Sequence, residues 1–278
     1  MTTDSGLLIH KCDLSTLTTL LKFCSFFIRK KIISFDHWGV EMSTKDLVIT
    51  KHNSLIEASY KLTLNEQRLV LICIAKLDAR KPLPKENSFT ITAKEFAATF
   101  SIEEKHAYEA LDEASSALYE RDIRTYDGKY RERFRWVCGV KYHDNEGKVT
   151  LGFSSWITPY LNLLHERFSS YKLKQIAGLK SIYAIRLLEF LMQFKATGKL
   201  IIDLDNFKER LELVNEYKRF YNLKMRVIEP AIKELREKSN LLIEWKPIKS
   251  GKKVKQLEFV FCESNEVAIA EDQLALEV

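Results

Sequence analysis

The stretch that decides the fold reads KRFYNLKMRVIEPAIKELREK at residues 218–238, followed by LLIEWKPIKSGKKVKQLEFVF at residues 241–261. At about 100° per residue, its first part separates into two helix faces. The apolar face holds Val227, Ile228, Ala231, Ile232 and Leu235, and the polar face holds Asn222, Arg226, Glu229 and Lys233. Two strand-like runs follow, joined by a basic turn. The order of helix, strand, basic turn and strand predicts a winged helix.

The turn between the two strand-like runs, residues 246–253, is rich in lysine. From residue 246 to residue 255 the chain has five lysines and no acid. Concentrated positive charge in a hairpin fits contact with phosphates. We therefore expect Lys249, Lys252, Lys253 and Lys255 to contact DNA phosphates and to carry little sequence information. The alternative is a pair of solvated edge strands, because lysine also discourages edge-to-edge pairing.

The polar face of residues 218–238 has the chemistry to read base edges. Arg226 and Lys233 can donate to guanine, Asn222 can pair with adenine, and Glu229 can accept from cytosine. Lys218 and Arg219 precede this face and are expected on phosphates. The alternative is a solvated face with a Glu–Lys pair at spacing i, i+4. Pro230 predicts either two helices or one kinked helix, and we favour one because the apolar stripe stays in phase.

The order of helix, strand, two helices and hairpin occurs twice along the chain, and the quoted stretch belongs to the second copy. This repeat predicts an α+β protein with two tandem winged-helix domains. We place the first at residues 42–158 and the second at 159–263, with a flexible acidic tail at 264–278. In the first, an acidic helix at 103–120 is followed by predicted strands at 123–126, 133–142 and 148–153. The hairpin after that helix is basic, so we expect phosphate contacts from Arg124, Arg131 and Arg133. We assign dimerisation to this domain as well.

Residues 1–41 differ from the rest of the chain. An apolar stretch there is interrupted by lysine and arginine, which argues against a membrane span and a secretory signal. We expect Met42 to be a usable start and the first 41 residues to be dispensable.

The run of Leu69, Val70, Leu71, Ile72, Cys73 and Ile74 is uncharged and rich in β-branched residues. We interpret it as a buried helix segment. It is also a candidate for self-association if the first domain opens, because such segments favour cross-β pairing.

Other functional classes have little support. The five cysteines are scattered without C-x-x-C spacing or a nearby histidine, so we predict reduced thiols in a cytoplasmic protein and no metal site. The chain lacks a phosphate-binding loop and a nucleophile elbow, so we expect neither catalytic residues nor a cofactor. The net charge of +6 is modest, and its placement matters more than its size.

Three ordered motifs carry a family resemblance: residues 47–58 with 64–68, residues 182–191, and residues 221–235. Together they resemble the plasmid replication initiators of the Rep_3 (RepB/RepE-like) family, over residues 46–263. In that family the segment containing Pro230 belongs to the recognition helix.

The resemblance implies a protein that binds repeated origin sites (iterons) in double-stranded DNA as a monomer. It further implies recruitment of host replication factors, namely the helicase and the chromosomal initiator, and repression of its own gene as a homodimer. The major-groove residues would be Asn222, Arg226, Glu229 and Lys233, with residues 249–255 as the wing.

Two alternatives stay open at this point. One is a winged-helix transcriptional regulator with no replication role. The other is a self-assembling protein in which DNA binding is secondary. Two unequal DNA-binding units in one chain favour the initiator, because regulators more often gain a second unit by dimerising.

Overall fold

A computed structural model describes residues 47–82, 87–126, 128–143 and 145–264, and all of them belong to one compact unit. The predicted N-terminal extension, the proposed start at Met42 and all but the first residue of the predicted tail lie outside these ranges.

The first winged helix is built on a capped, fully buried helix. Thr63 caps it and Glu66 bonds back to the Thr63 backbone, so both ends of a capping box are present. Its elements are α2 (Leu64–Ala75), β2 (Ser88–Thr92), α3 (Ala93–Phe100), α4 (Glu104–Tyr119), β5 (Val137–His143) and β6 (Lys148–Phe153). The three strands form an antiparallel sheet in the order β2-β6-β5.

The second winged helix repeats this plan. Ser181 caps its first helix by accepting a bond from the Ala184 amide. Its elements are α6 (Ile182–Met192), β8 (Lys199–Asp203), α7 (Leu204–Arg210), a helix at residues 220–238, β9 (Leu241–Ser250) and β10 (Lys253–Glu263). The sheet order is β8-β10-β9, with the last strand again in the middle. The tandem winged-helix prediction is therefore confirmed.

Two small sheets join these cores. The N-terminal β1 (Val48–His52) leads into α1 (Asn53–Glu57) and pairs with β7 (Phe168–Lys172). A 3₁₀-helix (Ser155–Tyr160) precedes β7, and α5 (Lys174–Ala177) follows it. Because β1 pairs with β7, residues on both sides of position 158/159 share one sheet. The domain boundary at that position remains a prediction.

The remaining pair of strands, β3 (Asp122–Tyr126) and β4 (Arg131–Arg135), forms its own hairpin. It is inserted between α4 and β5. By sheet order, the wing of the first domain is the β5–β6 hairpin instead. The basic hairpin from which phosphate contacts were expected is therefore separate from this wing, and the single predicted strand at 133–142 is broken at Trp136.

A buried ionic cluster locks β1 to α6. Lys51 and Glu189 are both fully buried, and Lys51 Nζ lies 2.6 Å from Glu189 Oε1. Arg186 Nη1 lies 2.9 Å from the other carboxylate oxygen of Glu189, and the hydroxyls of Tyr171 and Tyr60 donate to the same carboxylate. Two cations therefore share one anion in the interior.

Arg186 also ties this cluster to the backbone of the first domain. Its Nη2 donates to the carbonyls of Ile56 and Ala58, each at 3.0 Å. Together with the bonds from Nη1 to Glu189 and Tyr60, they give both terminal nitrogens of the buried guanidinium hydrogen-bond partners, as buried charges require. Within the described residues its Nε has no partner. The cluster thus fixes α6, the first helix of the second domain, against the chain entering the first domain.

Candidate nucleic-acid interface

The recognition helix of the second domain, residues 220–238, is continuous but not a uniform α-helix. Phe220–Leu223 and Glu229–Lys238 are α-helical, and Lys224–Ile228 between them is a π-turn in which the Glu229 amide bonds to the Lys224 carbonyl. Pro230 therefore follows a widened turn, where its ring no longer meets a carbonyl four residues back in tight α geometry. The prediction of a single helix through Pro230 is confirmed.

The π-turn changes which residues share a face. It adds the equivalent of one residue to the helix, so positions beyond it are rotated by roughly 100°. Asn222 and Arg226 then line up with Pro230, whereas Glu229 and Lys233 line up with Tyr221 and Met225. The single polar face at spacing i, i+4, i+7, i+11 is therefore wrong in detail. These residues instead form two adjacent stripes, in which Arg226 and Lys233 are exposed and Asn222 and Glu229 are half-buried.

The apolar face of the recognition helix fixes its orientation. Val227, Ile228, Ala231, Ile232 and Leu235 are all buried, as predicted. Arg236 Nε donates to the Ile243 carbonyl on β9 at 2.9 Å. The Glu234 carboxylate accepts from the amides of Lys180 and Ser181 at the start of α6, at 2.7 and 3.0 Å. An anion at a helix N-terminus is stabilising, so these bonds seat the recognition helix on the domain core.

An open groove of about 550 Å³ lies at the N-terminal end of the recognition helix. Four of the predicted DNA-binding residues line it together with Glu216 and Tyr217: Lys218, Arg219, Asn222 and Arg226. Arg219 has an extended backbone just before the helix, and Lys218 is exposed. Glu229 is half-buried and lies 3.7 Å from Lys224, and Lys233 is exposed further along the helix.

The wing is longer and more regular than the sequence suggested. Residues 246–250 and 253 belong to strands, and only Gly251 and Lys252 form the turn. Gly251 has a φ of +61°, which the first position of such a tight hairpin turn requires. Pro247 is tolerated because β9 is the edge strand of its sheet.

The wing lysines differ in their partners. Lys246 is held by Glu258, which also binds Lys199, and these two cations lower the pKa of the Glu258 carboxyl. Within the described ranges, Lys249, Lys252, Lys253 and Lys255 form no ion pair and are exposed. Lys255 is the extra residue at a register shift between Val254 and Gln256. These four ammonium groups are available to a polyanion.

The arginines of the inserted β3–β4 hairpin are less available. Arg124 Nη2 lies 2.6 Å from Glu212 Oε2 of the second domain, and Arg133 Nε donates to Asp122 at 2.6 Å. Arg131 is exposed near the turn. Pairing with carboxylates neutralises two of the three predicted phosphate ligands, so this hairpin connects the domains through Arg124 rather than offering a free basic surface. Its DNA contacts remain a prediction.

The self-association segment lies wholly inside the first domain. Leu69, Val70, Leu71, Ile72, Cys73 and Ile74 are each at most 1% exposed within α2. The expectation of a buried helix segment is confirmed. Self-association through these residues requires α2 to leave the core, and it stays a prediction.

The part of the chain that the structure describes offers neither a metal centre nor a membrane span. It contains no group of three or more candidate metal ligands, and no helix there is long and apolar enough to cross a membrane. Among the described residues, Cys73, Cys138 and Cys262 are not joined in disulfide bonds.

Sequence reasoning missed two exposed side chains on the recognition helix, Tyr221 and Met225. It assumed a regular α-helix, which placed them beside the reading face. The position of Pro230 within an otherwise helical pattern was the available signal of a break in that periodicity. It also missed the Lys51–Glu189 cluster, whose members lie far apart in the chain and carry no local pattern.

Two family models match this chain, and the first of them extends beyond residue 158 to include α6. The family model described as "Initiator Replication protein, WH1" matches residues 48–192, and "Initiator Rep protein, WH2" matches residues 203–261. A "Replication initiation protein" of Escherichia coli is 34% identical over 205 residues, which are 70% of this chain and 64% of that protein. This chain therefore spans less than two thirds of that relative.

Two further comparisons bear on the fold. The "PI protein" of Escherichia coli is 25% identical over 256 residues, covering 78% of this chain and 83% of that protein. The crystal structure of Pi initiator protein in complex with iteron DNA superposes with a TM-score of 0.69 at 23% identity, covering 78% of this chain and 98% of that one. The superposition covers nearly the whole of the Pi initiator chain, and it supports the fold of two winged helices for this protein.

Proposed function

Because the two matched models together cover well over half of its residues, this chain belongs to the family of initiator replication proteins, and we propose that it starts plasmid replication by binding iterons in double-stranded origin DNA. The resemblance found in the sequence is thereby confirmed at the level of the family. The observation that carries the proposal is the exposed, basic N-terminal half of a recognition helix with a lysine wing beside it.

The geometry supports binding by two coupled domains. The Lys51–Glu189–Arg186 cluster fixes α6 against the first domain, and Arg124 and Glu212 connect them at the surface. A rigid pair of winged helices suits a site of about two helical turns, where both domains lie on one side of the duplex. In the proposed complex the second domain reads bases, and the first contacts phosphates through Arg131.

We extend the proposal, from the family resemblance, to three further roles. The protein recruits the host helicase and chromosomal initiator in the cytoplasm. As a homodimer through the first domain, it represses its own gene. Sedimentation of the protein with and without origin duplex tests the dimer, because a monomer at every concentration contradicts it.

The proposal has a direct genetic test. A plasmid without an origin receives this gene and the repeated sequence beside it, and transformants are counted. We expect stable plasmid only when gene and repeats are both present. A plasmid carrying both but with Arg226→Ala should give few or no colonies. Equal colony numbers for the two plasmids contradict the proposal.

The wing lysines should act on affinity without acting on sequence preference. Lys252→Ala with Lys253→Ala should lower the slope of log affinity against log salt by about 2, because each lysine releases about one counterion. The ratio of affinities for native and scrambled duplex should stay unchanged. Binding titrations at several salt concentrations measure both quantities.

Lys246→Ala is the matched control for the wing, because Glu258 already holds that lysine. We expect a smaller change in slope from it than from either free lysine. A double variant that alters sequence preference instead would show that the wing reads bases.

A further inference from the structure

Two large apolar side chains on the recognition helix are exposed to solvent, whereas five apolar residues on its other face are buried. Tyr221 is 68% exposed and Met225 is 47% exposed, whereas Val227, Ile228, Ala231, Ile232 and Leu235 are buried. Single exposed apolar residues are ordinary on protein surfaces. Two of them one turn apart on the face aimed at a ligand invite a specific explanation.

The π-turn places these two side chains within the interface. In a regular α-helix, Glu229 and Lys233 would line up with Asn222 and Arg226, and the apolar pair would lie to one side. The π-turn at Lys224–Ile228 rotates the far half of the helix. Tyr221 and Met225 then form one stripe with Glu229 and Lys233, directly beside the stripe of Asn222 and Arg226. Such turns occur frequently at functional sites.

The charged residues around Tyr221 and Met225 favour DNA as the ligand that contacts these two side chains. Lys218 and Arg219 lie just before the helix, Arg226 and Lys233 lie on it, and the free wing lysines extend the positive field. Glu216 and Glu229 are the nearby acids. Lys224 does not compete for this face, since its ammonium lies over the Trp245 ring at 5.7 Å and near Glu229. An excess of basic side chains complements a polyanion such as DNA, whereas an apolar protein surface would gain nothing from it.

In the major groove only thymine presents an apolar group, its C5 methyl. We propose that Met225 and Tyr221 read thymine methyl groups next to the base that Arg226 reads. The inference rests on the proposed function and deepens it: the preferred site holds thymines at two positions beside a guanine. The flexible thioether of Met225 suits close packing on a methyl group, and the ring of Tyr221 offers a broad apolar face.

The test separates this inference from the proposed function. Full-length protein selects its preferred duplex from a random-sequence pool. That duplex is then remade with deoxyuridine in place of thymidine at one position at a time, which removes only the methyl group. We expect about a three- to fivefold loss of affinity at one or two positions, the effect of burying one methyl group.

The variants assign each methyl group to a side chain. At one of the positions where deoxyuridine weakens binding of the unmodified protein, Met225→Ala should bind the thymidine and deoxyuridine duplexes with equal affinity. At the other position, Tyr221→Ala should do the same. Tyr221→Phe keeps the ring and should retain the discrimination. A melting curve and binding to scrambled duplex show that each variant is folded.

Three results overturn the inference. Deoxyuridine duplexes that bind the unmodified protein as tightly as thymidine duplexes remove it while leaving the proposed function intact. If replacing thymidine by deoxyuridine lowers the affinity of Met225→Ala as much as that of the unmodified protein, the methyl group is read by another residue. A pool that enriches no sequence removes the inference together with sequence-specific binding.

Discussion

Arg226→Ala should bind the duplex from its own origin about ten- to a hundredfold more weakly than the unmodified protein, because a bidentate arginine–guanine pair contributes about 1–3 kcal/mol of discrimination. Affinity for scrambled duplex should fall far less, since the wing lysines still contact phosphates. The side chain is exposed on the helix and lines the groove at its N-terminal end, so its removal leaves the core untouched. Competition titrations with the two duplexes measure the ratio.

Arg80→Ala is the matched control for this loss. Arg80 is also an exposed arginine, but it lies in the first domain, away from the recognition helix, and pairs with Asp78. Its replacement removes the same formal charge, so any general electrostatic effect appears in both variants. If Arg226→Ala and Arg80→Ala weaken both duplexes equally, Arg226 does not read a base.

Glu189→Gln should lower the free energy of unfolding by about 3–5 kcal/mol, because it leaves buried cations without their anion. Lys51 and Arg186 would then face each other across a neutral amide. Lys51→Met should cost less, since the pair of Arg186 and Glu189 stays intact. The expected order of stability is therefore unmodified protein, Lys51→Met and Glu189→Gln, as measured by urea unfolding at neutral pH.

The matched control is Glu216→Gln, which breaks the exposed ion pair with Lys61. It should change stability by no more than about 0.5 kcal/mol, as exposed pairs do. Equal losses in Glu189→Gln and Glu216→Gln would show that the buried cluster does not hold the domains together.

The buried carboxylate also predicts a pH dependence. Burial by itself raises the pKa of Glu189, but the charges of Lys51 and Arg186 and the hydrogen bonds from Lys51 and Tyr171 outweigh it and hold the pKa below the usual 4.5. A lowered folded pKa stabilises the protein above the unfolded value, and that stability is lost as pH falls through the folded value. The difference between the unmodified protein and Glu189→Gln should therefore shrink below about pH 4.

Local patterns in the sequence were enough for most elements. The motif at residues 182–191 lies in the observed helix Ile182–Met192, because Ser181 provides a cap and the apolar residues recur at helical spacing. The β2 strand (Ser88–Thr92) and α3 (Ala93–Phe100) are also specified locally, because Thr92 ends the strand and caps the helix through the Glu95 amide. Each of these elements is specified by residues within a few positions of one another.

The remaining features depend on contacts that no local pattern records. Pro247 indicated a loop, but pairing with β10 extends β9 through it to Ser250. Lys51 and Glu189 are 138 residues apart, so nothing in either segment indicates that they meet. The π-turn arises where Pro230 joins a helix whose apolar face is held on the core. The π-turn rotates Glu229 and Lys233 away from Asn222 and Arg226, so that they line up with Tyr221 and Met225 instead.

The most direct test of the account is a salt titration of the protein against duplex DNA taken from beside its own gene, with a scrambled duplex as reference. We expect the native duplex to bind at least about a hundredfold more tightly at physiological salt, near the lower limit of specific recognition. The preference should persist as salt rises while both affinities fall. Equal affinities with the same steep salt dependence would contradict the account, because the wing would then bind DNA without a recognition helix that reads it.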